Sequence, residues 1–229
     1  MGGIHWIGGE KGGVGKSLMA RLLAQYCIDH ELPFVGFDTD KSHAALLRFY
    51  ADYTSPVVID RYESLDHIIE AAGAEPERRV IVDLAAQTQA ALEQWMEESG
   101  LLDLAPDLDL QIRYWQVMDS GRDSVDLLRA LLDRFGGRLD IVLVLNQLRG
   151  DDFGILEQSG QKQRALELGA RIMPLKRLHE AAMIKIDATS SSFWAATHAE
   201  GVHEMGILQR QRVKTWLKNA YQDLSALGV

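Results

Sequence analysis

Short apolar runs alternate with helix-like patterns along most of the chain. The runs are almost continuously apolar, which is typical of strands buried on both faces of a sheet. They predict strands at residues 4–7, 33–37, 57–59, 80–82, 110–118, 141–145 and 171–173. The segments between them predict helices at residues 18–27, 42–50, 64–72, 88–98, 124–135, 161–168 and 178–186. This order predicts an α/β fold of three layers, in which a mostly parallel sheet carries helices on both faces.

A last helix is predicted from about His203. Its apolar side chains form one stripe, made of Val213, Trp216, Leu217, Ala220, Leu224 and Leu227. Beside that stripe, Arg210, Lys214 and Lys218 recur every four residues and form what we call the basic stripe. Like charges at this spacing destabilise a helix slightly, and a bound polyanion would offset their repulsion. The basic stripe is therefore either a solvated face or a site for nonspecific DNA.

Residues 187–194 form a polar segment that ends in two large aromatic side chains, Phe193 and Trp194. The polar residues predict a loop. The aromatic side chains either fold back onto the core or form a surface that binds a partner protein.

Composition and charge narrow the class of protein. Of the 229 residues, 47% are hydrophobic and 25% are charged, which suits a single domain over residues 1–229. The formal net charge of −9 repels nucleic acid and anionic membranes, so either contact requires a local patch. The single cysteine, Cys27, excludes an intrachain disulfide and lies on the apolar face of the first helix. With neither a basic leader nor an apolar run of about 20 residues, we expect a cytoplasmic protein without a transmembrane segment.

A glycine-rich turn joins the first predicted strand to the first helix. It reads Gly8-Gly9-Glu10-Lys11-Gly12-Gly13-Val14-Gly15-Lys16-Ser17. Glycines let backbone N–H groups converge on an anion, and the start of the helix adds further N–H groups and a positive dipole end. In such a loop Lys16 reaches the β- and γ-phosphates of a nucleotide, and the Ser17 hydroxyl binds Mg²⁺.

Polar residues follow several predicted strands where the carboxyl ends of a parallel sheet meet. Asp38 and Asp40 follow the second strand, Asp83 ends the strand at residues 80–82, and Asn146 ends the strand at residues 141–145. Ligands bind at this edge of an open α/β sheet, and acidic groups there can hold magnesium and orient a nucleophile. Three of these residues also have a purely structural alternative, as a helix cap for Asp83 and as a turn or cap residue for Asp40 and Asn146.

The segment Lys11–Ser17 resembles the deviant Walker A box of the ParA/MinD family of ATPases, which has an additional lysine at its start. The resemblance implies Mg²⁺ and ATP as cofactors, and it implies that Lys11 crosses a homodimer interface to the partner's nucleotide. It also implies that Asp40 orients the attacking water and that Asp83 is the Walker B aspartate. The implied catalytic residues are Lys11, Lys16 and Asp40, and the implied magnesium residues are Ser17, Asp38 and Asp83. The implied nucleotide contacts are Gly12, Gly13, Val14, Gly15, Lys16, Ser17, Leu18, Asn146 on the adenine and Pro174 in a loop over the base.

Two segments depart from the family pattern. Lys41-Ser42 follows Asp40 where the family has Pro-Gln, and Leu84-Ala85-Ala86-Gln87 follows Asp83 where the family has a Pro and a Gly. Both departures lie in the segments that, by the resemblance, control the rate of ATP hydrolysis and sense the γ-phosphate.

The resemblance implies a slow ATPase that positions a plasmid, a chromosome region or a protein complex through an unknown partner. One alternative is an ATP-dependent small-molecule ligase of the dethiobiotin-synthetase type, which does not require Lys11. Another is a nucleotide-dependent scaffold that no longer hydrolyses ATP.

Overall fold

The computed structural model describes residues 2–198, 202 and 205–229. The strands of its single sheet are β1 (Gly3–Gly8), β2 (Phe34–Asp38), β3 (Thr54–Pro56), β4 (Arg79–Asp83), β5 (Gln111–Met118), β6 (Asp140–Asn146) and β7 (Arg171–Leu175). The helices are α1 (Lys16–Asp29), α2 (Ala45–Phe49), α3 (Tyr62–Gly73), α4 (Gln89–Glu98), α5 (Leu101–Leu104), α6 (Arg122–Phe135), α7 (Gly154–Gln158), α8 (Gln161–Glu167), α9 (Glu180–Ala188), α10 (Phe193–Thr197) and α11 (Ile207–Ala226).

All paired strands of the sheet run parallel, in the order β3-β2-β4-β1-β5-β6-β7. The strand β1 is central and pairs with both β4 and β5, so the loop after β1 emerges at the middle of the carboxyl edge. The predicted α/β class with a three-layer, parallel-sheet architecture is confirmed. Among the described residues, no helix is both long and apolar enough to cross a bilayer.

Side chains of the sheet pack into two cores, one on each face. Because successive strand residues point to opposite faces, Trp6 of β1 enters the core that holds α3, α4 and α6, while Ile7 enters the other. The second core contains buried residues of α1, α2, α9, α10 and α11, including Cys27. Burial raises the pKa of the Cys27 thiol to about 12, so this side chain packs as a neutral apolar group.

The prediction of a strand at residues 57–59 is wrong. The ladder with β2 lies over Thr54–Pro56 and ends where the Val57 amide donates to the Asp38 carbonyl. Val57 and Ile59 are buried beyond the ladder, so their apolar character reflects core packing of a loop.

The helix predicted at residues 42–50 is shorter than expected. The Asp40 carboxylate accepts hydrogen bonds from the amides of Ser42 and His43, and Ala44 has a left-handed φ of 41°. These contacts form a turn, so α2 begins only at Ala45.

The loop predicted at residues 187–194 differs at both ends, because α9 continues to Ala188 and α10 begins at Phe193. Phe193 is fully buried, as the first alternative expected, whereas Trp194 is 48% exposed. The predicted start of the last helix at His203 lies outside the described residues, and α11 is seen from Ile207.

Candidate functional site

The glycine loop lies between β1 and α1, as the sequence predicts. Gly13 and Gly15 have φ angles of 73° and 99°, which side-chain-bearing residues rarely adopt. Gly12 and Gly13 are exposed at the edge of the sheet, while Val14 is buried beneath them. The loop therefore presents backbone to solvent at the N-terminus of a 14-residue helix, the arrangement that favours an anion.

Asn146 braces the glycine loop from the end of β6. Its side-chain Nδ2 donates to the Val14 carbonyl at 2.7 Å, and its Oδ1 accepts from the Leu148 amide at 3.2 Å. A Cβ at Gly15 would lie 2.1 Å from the Asn146 Nδ2, so only glycine fits there. The structure thus gives Asn146 a loop-bracing contact, while its contact with an adenine stays a prediction.

Lys16 begins α1 with its side chain largely buried. Its Nζ donates to the Lys11 carbonyl at 3.3 Å, across the glycine loop. Burial lowers the pKa of Lys16, while the charges of Asp83, Glu10 and Asp40 act in the opposite direction. The ammonium group therefore lies over the loop within reach of a bound anion and close to acidic side chains.

Asp83 is the most electrostatically perturbed acid at this edge. It ends β4 beside Asp38 of β2, is 2% exposed, and neither of its carboxylate oxygens has a hydrogen-bond partner. Burial, with the charge of Asp38, raises the pKa of Asp83 to about 7, although Ser17 and Lys16 oppose this shift. A free buried carboxylate beside the loop hydroxyl is a donor set that fits a hydrated magnesium ion.

The described residues contain no cluster of three or more His, Cys, Asp or Glu side chains able to hold a metal. Ser17 and Asp83 alone would leave most positions of an octahedral ion open. Mg²⁺ prefers such partial sites, because it keeps several waters and shares phosphate oxygens. The site therefore fits a magnesium ion that arrives with a nucleotide.

Asp38 and Asp40 fold the segment after β2. The Asp38 carboxylate accepts from the amides of Asp40 at 2.9 Å and Leu47 at 3.1 Å, so both of its oxygens are used. Asp40 caps the turn described above, and its other oxygen faces the exposed His43 ring at 3.4 Å. The structural alternative for Asp40 is thus seen, while the roles of Asp38 toward magnesium and of Asp40 toward water stay predictions.

Thr39 joins the two acidic segments and was missed by the sequence reasoning. Its amide and its hydroxyl both donate to the Asp83 carbonyl at 3.1 Å, and its Oγ1 accepts from the Ala85 amide at 2.8 Å. These hydrogen bonds join the segment after β2 to the segment after β4. The sequence offered only its place between two aspartates as a signal.

Lys11 lies in an ionic cluster that the sequence also did not reveal. Its Nζ lies 3.1 Å from the carboxylate of Asp119, just after β5, and 3.6 Å from Asp123. Arg149 approaches the same Asp119 carboxylate at 3.2 Å. The additional lysine is thus paired within its own chain.

Pro174 does not lie in a loop, which corrects that prediction. The edge strand β7 continues through Pro174 to Leu175, since a proline on an outer strand need not donate to the ladder. Pro174 lines a groove with Trp216 and Asn219 of α11, and the loop after β7 covers residues 176–179. Leu18, the other apolar nucleotide contact expected, is half-buried in α1 and packs against the second core.

The basic stripe lies on α11, away from the contacts of the glycine loop. Arg210 is half-buried and donates to the Met205 carbonyl, whereas Lys214 and Lys218 are exposed. Among the described residues, neither lysine has an acidic partner within 4.0 Å. Both line an open depression of about 740 Å³ with Tyr221.

Among the comparisons with known proteins, a solved structure bears on the architecture. No protein-family model matches the chain. Protein MobD of Acidithiobacillus ferrooxidans is 26% identical over 165 residues, which cover 70% of each chain. A nucleotide-binding protein from Archaeoglobus fulgidus, solved in complex with ADP, aligns with a TM-score of 0.51 at 13% identity over 82% of this chain and 86% of its own. This chain has the three-layer α/β fold of P-loop NTPases.

Proposed function

We propose that this protein is a ParA/MinD-like ATPase that binds Mg·ATP and hydrolyses it slowly. The observation that carries the proposal is the buried Asp83 carboxylate, which has no hydrogen-bond partner and lies beside the glycine loop. The loop amides and Lys16 suit phosphate oxygens, while Ser17 and Asp83 suit a hydrated magnesium ion. The solved relative with ADP is consistent with the proposal through its fold.

Each residue of the site would contribute a separate effect. Lys16 neutralises the β- and γ-phosphates, and the backbone of residues 12–17 holds their oxygens in place. Ser17 and Asp83 hold magnesium, which supplies further charge neutralisation when it is bound, and Asp38 supports its water shell. Asp40 orients the attacking water. Catalysis of this kind depends on positioning and charge, and requires little covalent chemistry from the protein.

Isothermal titration with Mg·ATP tests nucleotide binding. Lys16→Ala should abolish binding, because the phosphates lose their main cation. Lys214→Ala removes an exposed lysine on α11 and serves as the matched control, with unchanged affinity expected. Equal affinity of the Lys16→Ala protein and the wild type would refute the assignment of the loop.

We further propose that ATP joins two copies into a homodimer with the nucleotides between them, and that Lys11 contacts the partner's nucleotide. Lys11 is suited to this role because it is partly exposed at the loop and carries a positive charge on a long side chain. With ATP, the Asp40→Ala protein should elute as a dimer on sizing chromatography. Adding Lys11→Ala should restore the monomer with nearly unchanged ATP affinity. A monomer in every nucleotide state would contradict the dimer.

A scaffold that no longer hydrolyses ATP is the second candidate. It is favoured by Asp40, whose carboxylate is already engaged by the amides of Ser42 and His43 and by the His43 ring. A single-turnover assay separates the two functions. Release of phosphate from bound ATP that Asp40→Ala abolishes supports the ATPase, and no release from the wild type supports the scaffold.

The cargo is proposed to be a plasmid, a chromosome region or a protein complex. A pull-down with the Asp40→Ala protein and ATP would identify a partner protein. Nonspecific DNA is the proposed ligand of the basic stripe, since a dimer would double the cations facing one duplex.

Filter binding of nonspecific duplex at two salt concentrations, with and without ATP, tests the DNA contact. Binding should require ATP and fall steeply with salt as counterions are released. Equal weak binding by the wild type and by the triple alanine variant of the basic stripe would refute it. The exposed Trp194 would then be the better surface for a protein cargo.

A further inference from the structure

Asp119 is a buried carboxylate with an unusually complete set of donors. It is 3% exposed, and its Oδ1 accepts from the Ser124 hydroxyl at 2.7 Å and from the Gly121 amide at 3.1 Å. Its Oδ2 lies 3.1 Å from the Lys11 Nζ and 3.2 Å from Arg149. The backbone and hydroxyl contacts fix the carboxylate, and the two cations share its Oδ2, with Lys11 also 3.4 Å from Oδ1.

The two cations differ in how freely they can leave. Lys11 is on the exposed side of the glycine loop, and in the part of the chain that the structure describes its ammonium group pairs with the carboxylates of Asp119 and Asp123. Arg149 ends the short turn that Asn146 caps, and its guanidinium lies 3.2 Å from where a Gly13 Cβ would be. Arg149 therefore already contacts Asp119 and lies beside the glycine loop, so it does not have to move to neutralise Asp119.

Removing one partner of a buried ion pair is costly when the other charge is left unpaired. With Arg149 in place, Lys11 can leave Asp119 and the carboxylate still keeps a cation. We propose that Asp119 holds Lys11 within its own protomer and that Arg149 neutralises Asp119 when Lys11 moves to a second copy of the chain. This inference rests on the proposed function, in which Lys11 reaches the partner's nucleotide. Asp119 and Arg149 are positioning residues for Lys11 and do not themselves contact the reacting atoms.

The hold on Lys11 can be measured without nucleotide or dimer. Acetylation of Lys11 by an N-hydroxysuccinimide ester, followed by mass spectrometry, reports how often its amine is free. Asp119→Asn keeps an oxygen for Ser124 and Gly121 but removes the charge, so labelling should rise about tenfold. Arg149→Ala removes the second cation that neutralises Asp119, so the carboxylate attracts Lys11 more strongly and the labelling of Lys11 should fall.

Asp123→Asn is the matched control for the labelling experiment. Its carboxylate also faces Lys11, at 3.6 Å, but is 77% exposed. Exposed ion pairs contribute little, so labelling should match the wild type. Labelling of the exposed Lys214 serves as the internal reference.

Sedimentation velocity with a non-hydrolysable ATP analogue then measures the dimer. Asp119→Asn should dimerise at about tenfold lower protein concentration than the wild type, because Lys11 no longer has to be released. Arg149→Ala should need a higher concentration, and Asp123→Asn should match the wild type. A merely structural role for Asp119 predicts the opposite, since damage to the site weakens the dimer.

The outcomes separate this inference from the proposed function. Equal labelling of Lys11 in the wild type, Asp119→Asn and Arg149→Ala overturns the hold on Lys11, whatever the oligomeric state. If the labelling of Lys11 changes as expected but the wild type stays monomeric with the ATP analogue, both the proposed dimer and the neutralisation of Asp119 by Arg149 on dimerisation are refuted. If the labelling of Lys11 changes but the wild type and all variants dimerise equally, this inference is overturned and the proposed dimer is retained. If Asp119→Asn fails to fold, Arg149→Ala carries the test, because its side chain is half-exposed.

Discussion

Replacing Asp83 by asparagine should make the nucleotide-free protein more stable at alkaline pH. The Asp83 carboxyl has a pKa of about 7 in the folded chain and one near its ordinary value of 3.8 in the unfolded chain. Between these values the folded state binds more protons, so its stability falls as the pH rises from about 4 to about 7. Above that window the full cost of ionising a buried carboxylate is present.

The size of the effect follows from the two pKa values. A rise from 3.8 to about 7 corresponds to about 4 kcal/mol, since one pKa unit equals about 1.4 kcal/mol. Asparagine removes this cost but leaves a buried amide without partners, which costs about 1–3 kcal/mol. The net gain for Asp83→Asn should therefore be about 1–3 kcal/mol at pH 8 and close to zero or negative at pH 5.

Urea unfolding in the presence of a chelator, at pH 5 and at pH 8, measures this difference. Asp140→Asn is a control of opposite sign. Burial raises the pKa of Asp140, but ion pairs with Arg113 and Arg171 outweigh burial and hold that pKa below its ordinary value. Asp140→Asn should therefore destabilise the protein at pH 8. A gain for Asp83→Asn that is equal at both pH values, or no gain at pH 8, would refute the reasoning.

The same substitution should remove the response to ligand. A nucleotide at a hundred times its dissociation constant stabilises a protein by about 2.7 kcal/mol. Excess Mg·ATP should give the wild type a shift of this size and should leave the Asp83→Asn protein almost unchanged. If Asp83 is a functional acid that lowers the stability of the free protein, its replacement should give a more stable variant that no longer responds to the ligand.

Other predictions concern the loop and the surface. Asn146→Ala should lower the free energy of unfolding by about 1–3 kcal/mol and weaken ATP affinity, because the buried Val14 carbonyl loses its donor. Gly15→Ala should abolish ATP binding in a titration, since both its φ of 99° and its contact with Asn146 exclude a side chain. The other tryptophans are buried, so acrylamide quenching reports on Trp194, and Mg·ATP should change that quenching in the wild type but not in Trp194→Phe.

The sequence was sufficient for features that depend on neighbours along the chain. The glycine loop, α1 and the buried strands have local signals, namely glycine order, helical spacing and continuous apolar runs, and the structure has them within a few residues. The prediction of a strand at residues 57–59 was wrong because burial alone does not distinguish a strand from a buried loop. Pro174 was placed in a loop through the resemblance to the ParA/MinD family, whereas the structure has it in an edge strand, which tolerates proline.

Features that depend on distant contacts could not be predicted in this way. Lys11 and Asp119 are separated by 108 positions in the chain, and their pairing follows from β1 and β5 being neighbours in the sheet. Arg149 reaches the same carboxylate from the end of β6, the next strand. Parallel strand order brings these residues together, and no periodicity or motif encodes that order.

The exposed Trp194 is tied to the site by a continuous set of contacts, which is why its quenching should respond to nucleotide. The Asp38 carboxylate anchors α2 through the Leu47 amide. Directly after α2, the Tyr50 hydroxyl accepts from the Phe193 amide at 3.3 Å and donates to Gln25, whose side chain in turn accepts from the Trp194 amide at 2.8 Å. These bonds are buried or partly buried, so a shift of α2 has to be taken up by α10. A change in the segment after β2 would thus reach the exposed Trp194 through α2 and the hydrogen bonds of Tyr50 and Gln25.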